Sequence, residues 1–430
     1  MIVAAAPAWA DPEDPPPPDK SGEVQQAVAQ EPAPAPAMES AAPSPQAQIP
    51  ASKLIDDHVG PPELWWVHGE YMLWWIKNGP LPQSLLTTGS PSGGGVLGDP
   101  STSILLGNST IDYGKASGFR FGGGGWLGER HIWGLEGDGF FLQQKTVNRI
   151  FASDANGNPL LARPINDALA NFAPEAVQVA APGSFAGSFA MSSTSRLWGA
   201  EVNVVRNLYA SPRFRADMLF GFHYLDLSES LQLTQETTAL ANGRLNFPAQ
   251  LEGPNPPNIL SETLMDGFHT RNQVYAGQLG MRFDGHFGAA SLLVTTKVAF
   301  GPNHQTVVTA GSTTANFADG TSATAPGGLL ALPGTNIGQV NNNPFVIVPQ
   351  VDVRLGYHAT DWLQFFIGYD FLFVNEVARP GSQITLNVNT GLVPASPNFG
   401  SAIGPNEPSH QTKRDEFWAQ GLTFGIEFRY

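Results

Sequence analysis

The 430-residue chain has no cysteine. Disulfides, zinc–thiolate centres, thiol nucleophiles and lipid attachment at cysteine are therefore excluded. Export is not, because secreted proteins depend on disulfides mainly when they are small. The chain also lacks any apolar run of the about 18–20 residues that a membrane-crossing helix requires. Charge is scarce, at 14% of residues, and 22 Lys and Arg against 37 Asp and Glu leave a formal net charge of −15. That balance offers no basic surface to nucleic acid. In their place stand 47 glycines and 37 prolines. Both oppose long helices, so composition favours β structure.

Residues 1–10, "MIVAAAPAWA", read as the remnant of a signal peptide, with Ala8-Trp9-Ala10 as a small-x-small cleavage pattern before Asp11. Residues 11–60 hold eleven prolines and almost no aromatics. Such a segment buries too little apolar surface to fold and is expected to be an extended periplasmic linker. Residues 61–430 remain as one β domain.

The segment "LWWVHGEYMLWWI" (64–76) carries four of the ten tryptophans. As a strand its side chains alternate between two faces. One face presents Trp65, Val67, Gly69, Tyr71, Leu73 and Trp75; the other presents Trp66, His68, Glu70, Met72 and Trp74. Ten residues separate Trp65 from Trp75. At about 3.3 Å per residue and a tilt of about 45°, they lie roughly 23 Å apart along a membrane normal. An outer-membrane barrel has an apolar band about 25 Å tall with aromatic girdles at both edges. The segment therefore reads as one transmembrane strand, with His68 and Glu70 turned into the lumen.

The pattern recurs in nine more segments, each with its mid-strand charges on one face. Residues 117–127 turn Arg120 inward, and 132–142 turn Glu136 and Asp138 inward with Trp133 outward. In 197–206 Glu201 faces in and Trp198 out; in 213–225 Arg215, Asp217 and His223 face in. Gln278 and Arg282 (272–283), Lys297 (289–300), and Asp352 and Arg354 (348–358) follow. Asp370 (362–373) and Glu427 and Arg429 (417–430, with Trp418 outward) complete the set. Trp65, Trp75, Trp133, Trp198 and Trp418 thus form the expected girdle. The connections alternate strictly between long and short, as expected of long extracellular loops and short periplasmic turns. The sequence predicts an all-β, antiparallel, up-and-down transmembrane barrel of ten strands, or twelve if the long connections add hairpins.

The chain ends "TFGIEFRY", with Thr423, Gly425, Phe428 and Tyr430 in a polar-x-Gly-x-x-aromatic-x-aromatic pattern. It resembles the terminal signal read by the bacterial barrel-assembly machinery. Longer blocks resemble the bacterial family called putative β-barrel porin type 7: "GGGGWLGERHIWGLEGDGFFL" (122–142), "AEVNVVRNL" (200–208), "LFGFHYLDLSESL" (219–231), "TRNQVYAGQLGMRF" (270–283), "IGYDFLFVNEVARPGSQI" (367–384) and "FWAQGLTFGIEFRY" (417–430). The resemblance implies an outer-membrane barrel and carries no catalytic residues. It departs at His223, where the family has Arg.

Gly123–Gly128 matches G-x-G-x-x-G, but a turn and another strand follow where a nucleotide site needs a helix. The inward carboxylates and histidines read as a polar lumen paired with Arg and Lys, not as a catalytic or metal site, and no G-x-S-x-G occurs. The expectation is a non-enzymatic barrel without cofactor, whose partners are outer-membrane lipids and, during biogenesis, the assembly machinery. Its expected function is passage of small solutes along a narrow path, since open pores need about 16 strands. The rivals are a plugged, surface-displaying barrel and, more remotely, a lipid-acting enzyme.

Overall fold

A computed structural model describes residues 64–128, 130–248, 258–401 and 403–430. The expected signal remnant (1–10) and proline-rich segment (11–60) lie outside the described residues. Ten antiparallel strands form a ring: β1 (Trp65–Ile76), β2 (Lys115–Trp126), β3 (Trp133–Leu142), β4 (Phe185–Ser211), β5 (Phe214–Ala239), β6 (Ile259–Phe287), β7 (Ala290–Phe317), β8 (Phe345–His358), β9 (Leu363–Ala378) and β10 (Arg414–Arg429). Each pairs with its sequence neighbours, and β10 returns to β1. At that seam Leu64 N and Trp65 N donate to Tyr430 O (2.6 and 2.9 Å), and Tyr430 N donates to Trp65 O (2.8 Å). Closure leaves no unpaired edge, the one arrangement in which strands can satisfy their backbone groups inside lipid.

The apolar residues of the alternating pattern lie outside. Phe121, Leu135 and Leu355 are 59%, 50% and 57% exposed, while His68, Glu70 and Asp217 are buried within. A water-soluble barrel would have the opposite arrangement, and an exposed apolar belt of this extent calls for lipid. Trp65 and Trp133 stand at the lower end of the belt, where the short connections lie. Trp75, Trp198 and Trp418 stand at the upper end.

The strands expected over 197–206, 213–225, 272–283 and 289–300 are too short. In the structure β4–β7 run for 26 to 29 residues, far past the about 10 needed to cross. Residues read as long loops are strand, and the reason is chemical. Along β5 the outward positions change from Phe220, Phe222 and Tyr224 to Asp226, Ser228, Ser230 and Gln232. The inward ones change from Asp217 and His223 to Leu225, Leu227, Leu231 and Leu233. Alternation continues, but the two faces exchange chemistry where the wall leaves the lipid. The polar outer face of this collar resembles loop sequence.

The remaining connections sort by end. Residues 127–132, 212–213, 288–289 and 359–362 are short; 77–114, 143–184, 240–258, 318–344 and 379–413 are long. Further short strands extend the sheet outside the ring: Lys145–Ala152 beside β4, and Ser322–Pro326 and Gly338–Asn342 beside β7. Three long connections contribute to a separate sheet: Ser103–Leu106, Leu86–Thr88, Leu161–Asp167 and Ala173–Ala180, with Asn387–Val388 running parallel to Leu161–Asp167. This sheet belongs to a plug. Leu81, Leu86, Leu161, Ile165, Leu329, Leu332, Ile384 and Val388 pack against the inward Leu227, Leu231, Leu264, Phe268 and Val346 of the collar. Each such side chain contributes about 1.5–3 kcal/mol on burial.

The glycine run of β2 has a local cause. A Cβ at Gly125 would stand 2.3 Å from the Trp65 ring, and one at Gly124 would stand 2.4 Å from the Trp66 ring. Glycine lets both indoles lie across the neighbouring strand.

Candidate functional site

The lumen below the plug is the chemically distinctive part of the molecule. The inward positions place there every charged or polar residue expected to face the lumen, and the ring brings them together in three groups.

The first group is set by β1, β2, β8 and β9. Register places Glu70 opposite Arg120 and Asp352 opposite Asp370. Two like charges face to face require a cation between them. Arg120 Nη1 supplies it, donating to Glu70 (3.2 Å), Asp352 (3.2 Å) and Asp370 (2.9 Å). Arg354 donates to Asp352 through Nε and Nη2 and lies 2.9 Å from Glu70. Three carboxylates thus share two guanidinium groups. Trp74 and Phe140 lie 5.7 and 5.9 Å from the Arg120 guanidinium and roof this group, while Phe366 lies 4.9 Å from that of Arg354.

The second group spans β3 to β8. Glu136 on β3 accepts two 2.8 Å hydrogen bonds from Arg282 on β6. Lys297 on β7 pairs with Glu201 on β4, and His223 Nδ1 stands 3.5 Å from the same carboxylate. Gln278 donates to Asn203 (2.5 Å), which donates to Glu136 and Glu201 (3.2 Å each). Gln350 reaches His223 Nδ1 at 3.4 Å. The Glu136–Arg282, Lys297–Glu201, Gln278–Asn203 and Gln350–His223 contacts join strands two or three places apart around the ring, so each of these four is a chord across the lumen, while His223–Glu201 and Asn203–Glu136 link neighbouring strands. His68 links the groups: its Nε2 lies 2.8 Å from Asp138 and 3.5 Å from Glu70.

The third group lies at the lower mouth. Arg215 pairs with Asp217 at 3.0 Å and stacks 5.4 Å from Trp126. Asn207 donates to Asp217 at 2.8 Å, and Arg429 pairs with Glu427 at 2.5 Å. Gln364 donates to Ser291 at 2.6 Å. Among the described residues, no three or more His, Asp or Glu side chains are arranged to hold a metal.

Sequence reasoning missed the pins of the plug. Arg163, in the second long connection, donates from Nη2 to Asp266 of β6 at 2.7 Å. The other oxygen of Asp266 accepts from the backbone of Leu329, Leu330 and Ala331 (2.8–2.9 Å). Arg379 makes two bonds of 2.8 and 2.7 Å to Glu229 of β5 and a third to Asn78 O. Both arginines are fully buried. Tyr113 joins them: its hydroxyl bonds Ser193 Oγ at 2.8 Å, and burial, followed by the nearby Glu229 charge, pushes its pKa up to about 12. The sequence hint was available in "LLARPIND" and "EVARPG", each with an arginine set between an apolar pair and a proline.

An aromatic-girdled, charge-filled ring of antiparallel strands defines a porin-like outer-membrane β-barrel. The chain belongs to the family described as "Putative beta barrel porin-7", whose model matches residues 66–430. Curated protein sequences yield no match. Among solved structures, the outer-membrane protease OmpT of Escherichia coli is similar at 9% identity and TM-score 0.38, over 86% of this chain and 97% of that one. A Pseudomonas aeruginosa FadL homologue is similar at 10% identity and TM-score 0.20, over 86% and 90%. The P. putida toluene transporter TodX is similar at 8% identity and TM-score 0.18, over 86% and 90%. Likeness at this level carries no information about chemistry.

Proposed function

We propose that the protein is an outer-membrane conduit for small polar solutes that is closed at rest, with its long connections outside the cell and its short turns in the periplasm. One observation carries this reading: the lumen changes character along its length. At membrane depth the wall is polar, and its charges are shared by exchangeable partners, as Arg120 is among Glu70, Asp352 and Asp370. Above it the obstruction is apolar and built from connections, not from the ring strands. A plug of that origin can move while the backbone hydrogen bonds between ring strands stay in place. Ten strands enclose little more than their own side chains, which restricts any path to small solutes.

A second reading is favoured by the two buried ion pairs that fasten the plug. A fastened plug suits a sealed platform that displays the connections at the cell surface. Conductance in planar bilayers separates the two. The wild type should be silent. Asp266→Asn, which keeps an acceptor for the 329–331 backbone but turns an amide N–H group toward Arg163 and so breaks that pin, should show current steps while keeping the heat-modifiable gel mobility of a folded barrel. A folded but silent Asp266→Asn would favour the platform.

A further inference from the structure

Just above the upper aromatic girdle, on the outer face, the sheet carries a group of cations that the lumen does not use. Register sets Arg196 of β4 opposite Ser228 of β5, and Ser228 opposite Arg271 of β6. The two arginines therefore flank one serine, their Cα atoms about 10 Å apart, twice the strand spacing. One row higher His269 pairs across Ser230 with Thr194. One row lower Asp226, outward yet fully buried, holds Arg271 through bonds of 2.9 and 2.6 Å and accepts from the Tyr224 hydroxyl at 3.1 Å. Asp226 thus fixes one guanidinium in place. Arg196 is exposed and has no ion-pair partner among the described residues, and Ser228 Oγ makes no hydrogen bond among them. The His269 ring feels both guanidinium groups: after partial burial, Arg271 and then Arg196 push its pKa down.

Directly below lies the lipid edge. Trp198, Tyr224 and Tyr275 form a continuous ring stack, with centroids 4.9 and 5.0 Å apart. A cationic patch is unexpected on a chain of net charge −15, and this one sits where lipid headgroups begin.

We propose that Arg196, Arg271 and Ser228 bind the phosphate of an anionic lipid headgroup, whose acyl chains lie along the Trp198–Tyr224–Tyr275 row. Arg271 is preset by Asp226, Arg196 swings to close on the second phosphate face, and Ser228 donates its hydroxyl. The site is independent of conduction and of whether the barrel opens.

The test is native mass spectrometry of the full chain in detergent, titrated with phosphatidylglycerol and, separately, phosphatidylcholine. Wild type should retain phosphatidylglycerol preferentially. Arg196→Gln should weaken that retention about five-fold, and Arg196→Gln with Arg271→Gln by a further about five-fold. Arg206→Gln, which removes the outward arginine over Trp133 at the opposite girdle, should leave retention unchanged. Equal retention of both lipids, or equal loss in Arg206→Gln, would overturn the assignment. Displacement of the lipid by excess inorganic phosphate alone would show a free-phosphate site and overturn it as well.

Discussion

Glu136 and Arg282 stand 146 residues apart in the chain and meet across the lumen in two parallel 2.8 Å hydrogen bonds. The fork of a guanidinium fits a carboxylate in this way and no other cationic side chain does. Removing one partner leaves the other charged and largely out of water, at a cost of roughly 3–5 kcal/mol. Glu136→Gln and Arg282→Gln should each lower the urea midpoint of unfolding, followed by tryptophan fluorescence. The double variant should recover at least half of the loss. Additive losses would mean the two groups do not depend on each other.

The exchange of faces along β5 gives a sharper test of where lipid ends. Phe222→Arg puts a cation on the apolar belt, at a cost of roughly 2–4 kcal/mol near midplane. Gln232→Arg puts the same side chain on the same face ten residues higher, where it should change stability by less than about 0.5 kcal/mol. Heat-modifiable gel mobility after refolding into vesicles reads both. Similar damage from the two would place Gln232 in lipid and refute the collar.

Glu262, inward on β6 above the membrane, predicts a pH dependence. Burial raises its pKa to about 8, opposed only by a hydrogen bond from the Asn246 backbone. A carboxyl raised in the folded state favours folding while it is protonated. That contribution is complete below the ordinary value of about 4.5 and is lost as pH rises through about 8. Register puts Glu262 opposite Ala315, which packs with Phe247, Phe317 and Ala325. Raising pH from 7 to 9 should speed protease cleavage of the β5–β6 connection. Glu262→Gln should cleave at one rate at both pH values; a persistent pH effect would assign it to another group.

The chain terminus separates assembly from stability. Tyr430 is 70% exposed, while its backbone carries three seam hydrogen bonds to Leu64 and Trp65. Tyr430→Ala keeps those bonds and removes only an interfacial ring. Refolding into detergent should be unaffected, while the amount of barrel reaching the outer membrane should fall several-fold, as read by cell fractionation. Normal outer-membrane levels would mean the terminal pattern does not guide assembly.

The membrane-depth wall was legible because lipid outside and charge inside impose opposite demands on alternate residues. His68, Glu70 and Asp370 advertise their face by being charged among aromatics. The collar was not legible, because Leu231 and Leu233 continue the inward face of Asp217 and His223, and Ser230 and Gln232 the outward face of Phe220 and Phe222, with the chemistry of the two faces reversed. Which groups would pair was also hidden. Arg120 and Asp370 are 250 residues apart, and only the stagger of the closed ring brings them together. The plug escaped for the same reason: Arg163 and Asp266 lie in a connection and a wall strand 103 residues apart.

The switch of chemistry along β4–β7 also guards the pairing itself. Sliding β6 by one residue against β5 would turn Gln278 and Arg282 into lipid. The same slip would turn Leu264 and Phe268 out into water and bring Ser261 and Thr263 against the plug. A barrel of uniform wall pays for such an error in one solvent; this one meets the penalty in two, at opposite ends of the same strand. Strands of nearly thirty residues, which could otherwise settle into several alignments, are thereby left with one.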